Sequence, residues 1–332
     1  MKVSATAKLA TKLDVRGLTV ELPTGAGWIR PVNDVSFSVA EGETLGVVGE
    51  SGSGKTMLSL ALMGLEPPGA RRSGEAWLEV RDGARKNLVT AHREDVRALR
   101  GRDIAMIFQE PMTALNPVMR VGAQVEEAIR VHEATASPAE LRDRALAALK
   151  RAAVPESERR FLQYPHQLSG GLRQRVMIAI ALAAGPGILI ADEPTTALDV
   201  TVQKQILELL AELRRELGLS LLFITHDLGL VSQIADRVIV MYAGRIVEEG
   251  PTAEVLQGPR HPYTEGLLRA APRLARGKLT PIPGSVPSLA ALPPGCAFSP
   301  RCALRVAECD EAMPKLYPVS PVHSARCILV AK

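Results

Sequence analysis

Apolar and polar residues are arranged in two different patterns along the predicted strands of this chain. In LDVRGLTVEL (13–22) and DVSFSV (34–39) they alternate, which predicts strands of a half-exposed antiparallel sheet. Three other segments, TLGVVG, GILIADEP and LSLLFITHD, contain continuous apolar runs, which are typical of strands buried in a parallel sheet. The pattern therefore predicts an antiparallel sheet and a largely parallel one.

Segments predicted to be helical lie between these strands. TMLSLALMGL (56–65) follows the first buried run, and residues 116–167 are predicted to be mostly helical, with a capping box at Ser137-Pro138-Ala139-Glu140. A further helix is predicted to end at Gly218, and strands that alternate with helices indicate an α/β fold. The residues predicted on one face of that helix are Val202, Ile206, Leu210, Leu213 and Leu217.

The composition changes after about Gly258. The segment from there to Pro294 is rich in Pro, Gly and Arg and indicates a linker-like, irregular extension. Because 332 residues exceed one typical domain, we predict a large domain over 1–258 and a smaller C-terminal extension over 259–332.

Charge and hydropathy argue against several classes of protein. The 40 basic and 36 acidic residues give a net charge of +4 with no dense basic block, so no nucleic-acid partner is expected. The longest apolar stretch, residues 176–191, is interrupted by Gly-Pro-Gly and is shorter than the roughly 20 residues of a membrane span. The N-terminal residues lack the apolar centre of a secretory signal. We therefore expect a cytoplasmic location.

The segment GESGSGKT (49–56) lies between a predicted buried strand and a predicted helix, and it fits the phosphate-loop pattern G-x-x-x-x-G-K-[ST]. Its glycines let successive backbone N–H groups face phosphate oxygens, and the helix adds its positive N-terminal end. Lys55 would reach the β- and γ-phosphates, and Thr56 would coordinate Mg²⁺. The predicted nucleotide contacts in this loop are Gly49, Ser51, Gly52, Ser53, Gly54, Lys55 and Thr56.

Two acids follow the apolar run of GILIADEP. Asp192 is predicted at the carboxyl end of a buried strand, where ligands bind in open α/β sheets and where a carboxylate would hold Mg²⁺. Glu193 is expected to point the other way along the strand and to accept a proton from the attacking water. Alone, the pair would equally fit a solvated strand end.

The segment LSGGLRQR (168–175) predicts a second helix N-terminus that could bind an anion, at Ser169, Gly170 and Gly171. One nucleotide needs only one such site, so the second is expected to serve a nucleotide held by another subunit. Without the phosphate loop, an ordinary Ser N-cap followed by two glycines would explain the segment equally well.

In this order the motifs resemble those of the ATP-binding subunits of ABC transporters, over roughly residues 10–250. The resemblance implies a P-loop ATPase with a RecA-like core, an antiparallel β subdomain and a helical subdomain at about 116–167. It also implies a dimer in which each ATP lies between the phosphate loop of one subunit and the LSGG signature of the other.

Residue roles are implied by the same resemblance. Glu193 would be the catalytic base, Gln109 would sense Mg²⁺ and the attacking water, and His226 would contact the γ-phosphate. Asp199, in the ALD segment, would contact the nucleotide. The signature has Leu172 where many relatives have Gln, and the adenine-stacking aromatic is replaced by Leu22, with Trp28 as the candidate substitute.

The tail segments RHPYTEGLL (260–268), IPGSVPSL (282–289) and PPGCAFSPRC (293–302) resemble the C-terminal extension of ATPases that drive oligopeptide, dipeptide and nickel importers. The FQEPMTALNP segment (108–117) is similar to the same group, and the IPG-x-VP form resembles its D-type member. The resemblance implies a second ABC ATPase subunit, either different or identical, two membrane permeases and an extracytoplasmic solute-binding protein. The chain would then lie peripherally at the cytoplasmic face of the inner membrane.

Four cysteines, Cys296, Cys302, Cys309 and Cys327, lie in this extension. A reducing compartment argues against disulfides, and a Pro-rich tail with little core of its own suggests a metal staple. Zn²⁺ and an iron–sulfur cluster both accept four Cys, and four free thiols are a third alternative. The family resemblance favours a 4Fe–4S cluster, with Zn²⁺ as its alternative.

We therefore predict an ATP-hydrolysing subunit, with ATP and Mg²⁺, that powers import of peptides or a related small solute through partner permeases. The alternative is a soluble ABC-type ATPase of DNA repair or translation. Such proteins carry a long coiled coil or zinc insertions, or two ATPase domains on one chain, and neither feature appears in this sequence. Lys55, Asp192, Glu193 and His226 also argue against an interaction protein with a dead ATPase.

Overall fold

The protein consists of two β-sheets with helices packed on them. The computed structural model describes residues 10–25, 27–272, 274 and 279–330. Residues 1–9, which belong to the segment where no secretory signal was expected, lie outside the described residues. The strands are β1 (Thr11–Thr24), β2 (Gly27–Ala40), β3 (Thr44–Val48), β4 (Arg71–Glu79), β5 (Arg85–Asn87), β6 (Ile104–Ile107), β7 (Ile188–Asp192), β8 (Ser220–Thr225), β9 (Arg237–Tyr242), β10 (Arg245–Pro251), β11 (Tyr317–Ser320) and β12 (His323–Ala325).

The helices occupy the connections between strands and the region between β6 and β7. They are α1 (Lys55–Met63), α2 (Arg93–Leu99), α3 (Pro111–Ala114), α4 (Val121–Arg130), α5 (Pro138–Arg151), α6 (Ser157–Phe161), α7 (Gly170–Leu182), α8 (Val200–Leu217), α9 (Leu228–Ile234), α10 (Thr252–Gln257) and α11 (Pro262–Ala270). Among the described residues, no helix is both long enough and apolar enough to cross a bilayer.

The smaller sheet is antiparallel, in the order β2-β1-β4-β5. The two segments with alternating polarity pair with each other in it, with Val15 opposite Phe37. The larger sheet has the order β11-β12-β10-β9-β3-β8-β7-β6, and its strands β9, β3, β8, β7 and β6 are mutually parallel. The α/β fold with an antiparallel sheet and a parallel core is therefore confirmed.

The continuous apolar runs arise because the parallel strands are buried on both faces. In β7, Ile188 and Ile190 belong to the core shared with the antiparallel sheet and α1. Leu189 and Ala191 belong to the other core, which is shared with helices α4, α5, α7 and α8. A strand that is buried on both faces is apolar at successive positions and does not alternate in polarity. Asp192 ends this strand, at the edge of the sheet where the phosphate loop lies.

Residues 116–167 contain α4, α5 and α6. The predicted capping box is present at the start of α5, where the Ser137 hydroxyl accepts from the Glu140 N–H and the Glu140 carboxylate accepts from the Ser137 N–H. The division of the chain into domains at residue 258 stays a prediction.

The C-terminal extension is joined to the core rather than separate from it. Strand β12 pairs with β10, with Ala325 opposite Glu248, so residues near the C-terminus extend the larger sheet. Tyr263 of α11 and Phe298 pack against Tyr242 of β9, with ring centroids 4.6 to 5.4 Å apart. This aromatic cluster fixes the extension beside the phosphate loop.

Candidate functional site

The phosphate loop connects β3 to α1, as the sequence predicted. Gly54 has φ +103°, and a Cβ there would lie 1.9 Å from the Pro31 carbonyl oxygen. A Cβ on Gly49 would lie 2.3 Å from the Met241 carbonyl oxygen. These glycines let the loop approach two neighbouring backbones more closely than any other residue could.

Lys55 is buried at the start of α1, with only 5% of its surface exposed. Its Nζ donates to the carbonyl oxygens of Gly49 at 2.6 Å and Glu50 at 3.0 Å, and to Ser53 Oγ at 3.4 Å. Burial lowers its pKa from the ordinary value, against the attraction of Glu193 and Asp192. The amine is therefore held inside the loop, where a bound phosphate would meet it.

Replacing Gly54 by Ala is expected to destabilise the protein by at least about 3 kcal/mol, because the new Cβ adds a backbone collision to the strain of a positive φ. Gly52→Ala is the matched control, since φ there is +79° and no atom lies within 4 Å of the added Cβ; its expected cost is about 1 kcal/mol. Urea unfolding of both variants measures the difference. Equal unfolding free energies would contradict this explanation of Gly54.

Asp192 ends β7 and is almost fully buried. Its Oδ2 accepts from Ser59 Oγ at 3.2 Å, while Oδ1 is buried and has no hydrogen-bond partner among the described residues. Burial raises its pKa, and the neighbouring hydroxyl groups of Thr56 and Ser59 oppose that rise. A buried carboxylate oxygen left unpaired next to Thr56 fits the predicted Mg²⁺ site of Thr56, Asp192 and Gln109.

Glu193 lies beside two other predicted catalytic residues. Its Oε2 is 3.3 Å from Gln109 Nε2 and 3.3 Å from His226 Nδ1, and it accepts from Thr196 Oγ1 at 2.8 Å. The structure differs from the expectation that Glu193 continues the strand with its side chain on the opposite face. The strand ends at Asp192, and Glu193 has φ +47°, in the left-handed region.

The contact with His226 determines the ionisation of this cluster. The hydrogen bond from His226 lowers the pKa of Glu193, and the hydrogen bond to Glu193 raises the pKa of His226. Burial acts against both shifts. Glu193 is thus held as a carboxylate at neutral pH, in the form that a general base requires.

The LSGG segment forms the start of α7. Ser169 is its N-cap, and its Oγ accepts from the Leu172 N–H at 3.4 Å. A Cβ on Gly171 would lie 2.7 Å from Val202 Cγ1, and one on Gly170 would lie 3.6 Å from Leu198, so this helix start packs against the start of α8. The phosphate loop contacts Pro31 and Met241 instead, and the two predicted anion sites therefore have different neighbours.

Asp199 is the N-cap of α8, where its Oδ1 accepts from the N–H groups of Thr201 and Val202 at 3.0 and 2.9 Å. Trp28 lies in β2, opposite Pro23 of β1, and 43% of its surface is exposed. The guanidinium of Arg71 lies over its ring, 3.9 Å from the centroid. The predicted nucleotide contacts of Asp199 and Trp28 stay predictions.

All four cysteines are free thiols that line one small cavity, together with His261 and Phe298. Burial raises the pKa of Cys296 to about 11 and also raises those of Cys302 and Cys327. In the described part of the chain, no group of three or more His, Cys, Asp or Glu side chains could hold a metal ion. This finding supports neither the predicted 4Fe–4S cluster nor its Zn²⁺ alternative.

Three residues at the site were missed from the sequence. Arg301 of the extension forms an ion pair with Glu50 of the phosphate loop, and the Tyr263 hydroxyl accepts from the Glu50 N–H at 2.8 Å. The sequence did contain a signal for such a contact, because the acid Glu50 in a loop that binds polyphosphate needs a basic residue to balance its charge. The sequence did not indicate which of the 40 basic residues would supply it.

The fold and these contacts define a P-loop ATPase. Residues 32–196 match the family model described as ABC transporter, and residues 247–309 match the model described as oligopeptide/dipeptide transporter, C-terminal region. The second match begins before the predicted domain boundary at residue 258.

Relatives agree with both matches, and solved structures agree with the first. A protein of Brucella melitensis biotype 1 with the provisional name peptide import ATP-binding protein is 52% identical over 326 residues, covering 95% of this chain and 96% of that protein. A Brucella abortus protein with the same kind of name is 49% identical over 323 residues, covering 96% and 95%.

The ATP-binding cassette MJ0796, solved as a dimer bound to ADP and Pi, superposes with a TM-score of 0.64 at 31% identity, covering 72% of this chain and 98% of that one. CbiO1 of Clostridium perfringens, described as part of an ABC transporter complex, has a TM-score of 0.60 at 28% identity, covering 75% and 92%. The chain belongs to the ABC transporter ATP-binding family, in the group with the oligopeptide/dipeptide transporter C-terminal region. It is an ATPase of that family.

Proposed function

We propose that this chain hydrolyses ATP to power the import of peptides, or a related small solute, through partner membrane permeases. The observation that carries the proposal is the combination of a complete phosphate loop, a Gln109–Glu193–His226 cluster and a C-terminal extension of the oligopeptide/dipeptide type in one chain. Nothing in the fold, the site or the relatives favours the alternative of a DNA-repair or translation ATPase.

The nucleotide site is assigned to residues whose local structure suits phosphate. The N–H groups of residues 49–54 and the start of α1 would bind the phosphate oxygens, and Lys55 would bind the β- and γ-phosphates. Thr56, Asp192 and Gln109 would hold Mg²⁺, which neutralises charge on the phosphates. The unpaired Oδ1 of Asp192 supports this donor set.

Hydrolysis depends on positioning and on one proton transfer. Glu193 would orient the attacking water and accept its proton, with Thr196 holding the carboxylate in place. His226 Nδ1 lies 3.3 Å from Glu193 Oε2. Contact of His226 with the γ-phosphate would weaken that pair, and the pKa of Glu193 would then rise toward that of a stronger base.

The second helix start, at Ser169, Gly170 and Gly171, is proposed to bind a nucleotide held by a partner ATPase, which is a second copy or a related chain. Its position against the start of α8 also brings Asp199 near the same surface. The dimeric cassette to which this chain is similar supports this arrangement.

The remaining partners are two membrane permeases and an extracytoplasmic solute-binding protein, with the chain peripheral at the cytoplasmic face of the inner membrane. No nucleic-acid partner is proposed. Tagged protein extracted from its own membranes in mild detergent tests this assembly by mass spectrometry. Two polytopic permeases and a second ATPase are expected, and exclusively soluble partners would contradict the import function.

We also propose that the four thiols hold a 4Fe–4S cluster. Two observations support it: Cys296, Cys302, Cys309 and Cys327 line one cavity, and backbone N–H groups form hydrogen bonds with three of the sulfurs. A cluster binds each thiolate at a different iron, which suits sulfurs spread around a cavity, and such hydrogen bonds are typical of cluster sites. The cluster would cross-link, and so stabilise, a segment that has little hydrophobic core of its own.

Protein purified without oxygen is expected to contain about four iron and four sulfide per chain, as a Cys-bound 4Fe–4S cluster requires. Replacing Cys309 by Ser should lower both, because a buried ligand is lost. Elemental analysis and the visible absorption spectrum measure this. Wild-type protein with neither iron nor zinc would contradict any metal at this site.

A further inference from the structure

The C-terminal extension reaches back to the phosphate loop through one arginine. Arg301 Nη1 and Nη2 donate to the two carboxylate oxygens of Glu50, at 2.6 and 3.1 Å. Glu50 is the second residue of GESGSGKT and lies 251 positions before Arg301. A two-pronged guanidinium–carboxylate pair fixes both the distance and the orientation of its partners.

Arg301 is itself held rigidly. Its side chain is 4% exposed, its Nε donates to the Pro283 carbonyl oxygen at 2.9 Å, and its Nη1 lies 3.4 Å from the Tyr242 hydroxyl. The hydrogen bond to Glu50 is the main cause that raises its pKa. The extension therefore presents a fixed cation to the loop and not a mobile surface arginine.

A second contact acts on the backbone of the same loop residue. The Glu50 N–H donates to the hydroxyl of Tyr263, a fully buried residue of α11. The Glu50 carbonyl oxygen accepts from Lys55 Nζ at 3.0 Å and from the Ser53 N–H at 3.2 Å. The contacts that hold Glu50 in place therefore also hold its carbonyl oxygen, to which Lys55 Nζ donates.

Charge gives the pair a further consequence. A carboxylate within a loop that receives a polyphosphate would repel it, since like charges in a partly buried site are poorly screened. Arg301 neutralises this carboxylate and holds it against the extension. The pair thus removes an unfavourable charge and restrains the loop at once.

We propose that Arg301 is a positioning residue for the nucleotide site, through which the C-terminal extension sets the affinity of the phosphate loop for ATP. The inference rests on the proposed function, because it assumes that this loop binds ATP. It assigns to the extension a direct action on the nucleotide, in addition to any contact with transporter partners.

The test is a double-mutant cycle on the full chain, with Mg²⁺ and the non-hydrolysable ATP analogue AMP-PNP, by isothermal titration calorimetry. Arg301→Gln is expected to raise the Kd about 10-fold, because Glu50 is left as an unpaired charge beside the phosphates. Adding Glu50→Gln should return the Kd to within about threefold of wild type, since no unpaired carboxylate remains. Arg301→Lys, which keeps the charge but not the two-pronged geometry, should lie between wild type and Arg301→Gln.

Arg305→Gln is the matched control. Arg305 lies in the same segment and pairs with Asp310, with about half of its side chain exposed. Its removal should leave the Kd unchanged.

Two results would overturn the proposal: equal Kd values for Arg301→Gln and Arg305→Gln, or effects of Arg301→Gln and Glu50→Gln that multiply in the double variant. If Arg301→Gln does not fold, Tyr263→Phe is measured in its place. Loss of the hydroxyl that accepts from the Glu50 N–H is expected to raise the Kd for AMP-PNP about threefold. An unchanged Kd in Tyr263→Phe would also overturn the proposal. A wild-type chain that binds no nucleotide would instead refute the proposed function itself, so the two failures are distinguishable.

Discussion

Glu193→Gln is expected to lower the rate of ATP hydrolysis by about 10²- to 10⁴-fold while leaving ATP binding intact. Gln has nearly the same shape as Glu and can still accept from Thr196 Oγ1, so the turn at φ +47° should be preserved. The amide cannot take a proton from water. Only the step that needs a base is therefore lost.

Phosphate release under saturating MgATP measures the rate, and AMP-PNP binding measures affinity. Glu212→Gln is the control, because Glu212 is an exposed residue of α8 and should leave both quantities unchanged. Turnover of Glu193→Gln within a few-fold of wild type would show that Glu193 is not the base.

Lys55→Ala is expected to weaken ATP binding by roughly 100-fold, equivalent to about 3 kcal/mol, because charge-assisted contacts to two phosphates are lost. The buried amine donates to the carbonyl oxygens of Gly49 and Glu50, which belong to the same loop. A water molecule that fills the vacated space has no positive charge to replace that of the amine.

Lys204→Ala serves as the control, since Lys204 is exposed on α8 and pairs only weakly with Glu208. Calorimetric titration with AMP-PNP compares the two variants, and thermal unfolding checks that Lys55→Ala is folded. An affinity equal to that of Lys204→Ala, in folded protein, would contradict the assignment of the phosphate site.

Local sequence signals predicted much of the fold and the local structure around the candidate nucleotide site. The capping box at Ser137 and the end of α8 at Gly218, with φ +62°, depend on neighbouring residues alone. The position of Asp192 at a strand end followed from the apolar run before it. In each case the residues that determine the structure are adjacent in the chain.

Predictions were weaker where distant segments decide the structure. The turn at Glu193 ends β7 one residue earlier than an extended strand would, and Leu217, predicted on the same face of α8 as Leu210 and Leu213, is 41% exposed at the last residue of that helix. The contact between Arg301 and Glu50 depends on β12 joining β10 and on α11 packing against Tyr242. No local pattern encodes these pairings.

The most direct test of ATP-driven peptide import is uptake of radiolabelled di- and tripeptides by cells that lack this chain and carry a replacement copy. Wild-type and Glu212→Gln copies are expected to restore uptake, while Glu193→Gln should leave it at the level of cells without the chain, because hydrolysis is needed for each transport cycle. Peptide uptake that is unaffected by loss of the chain, or that is supported equally by Glu193→Gln, would contradict the import function.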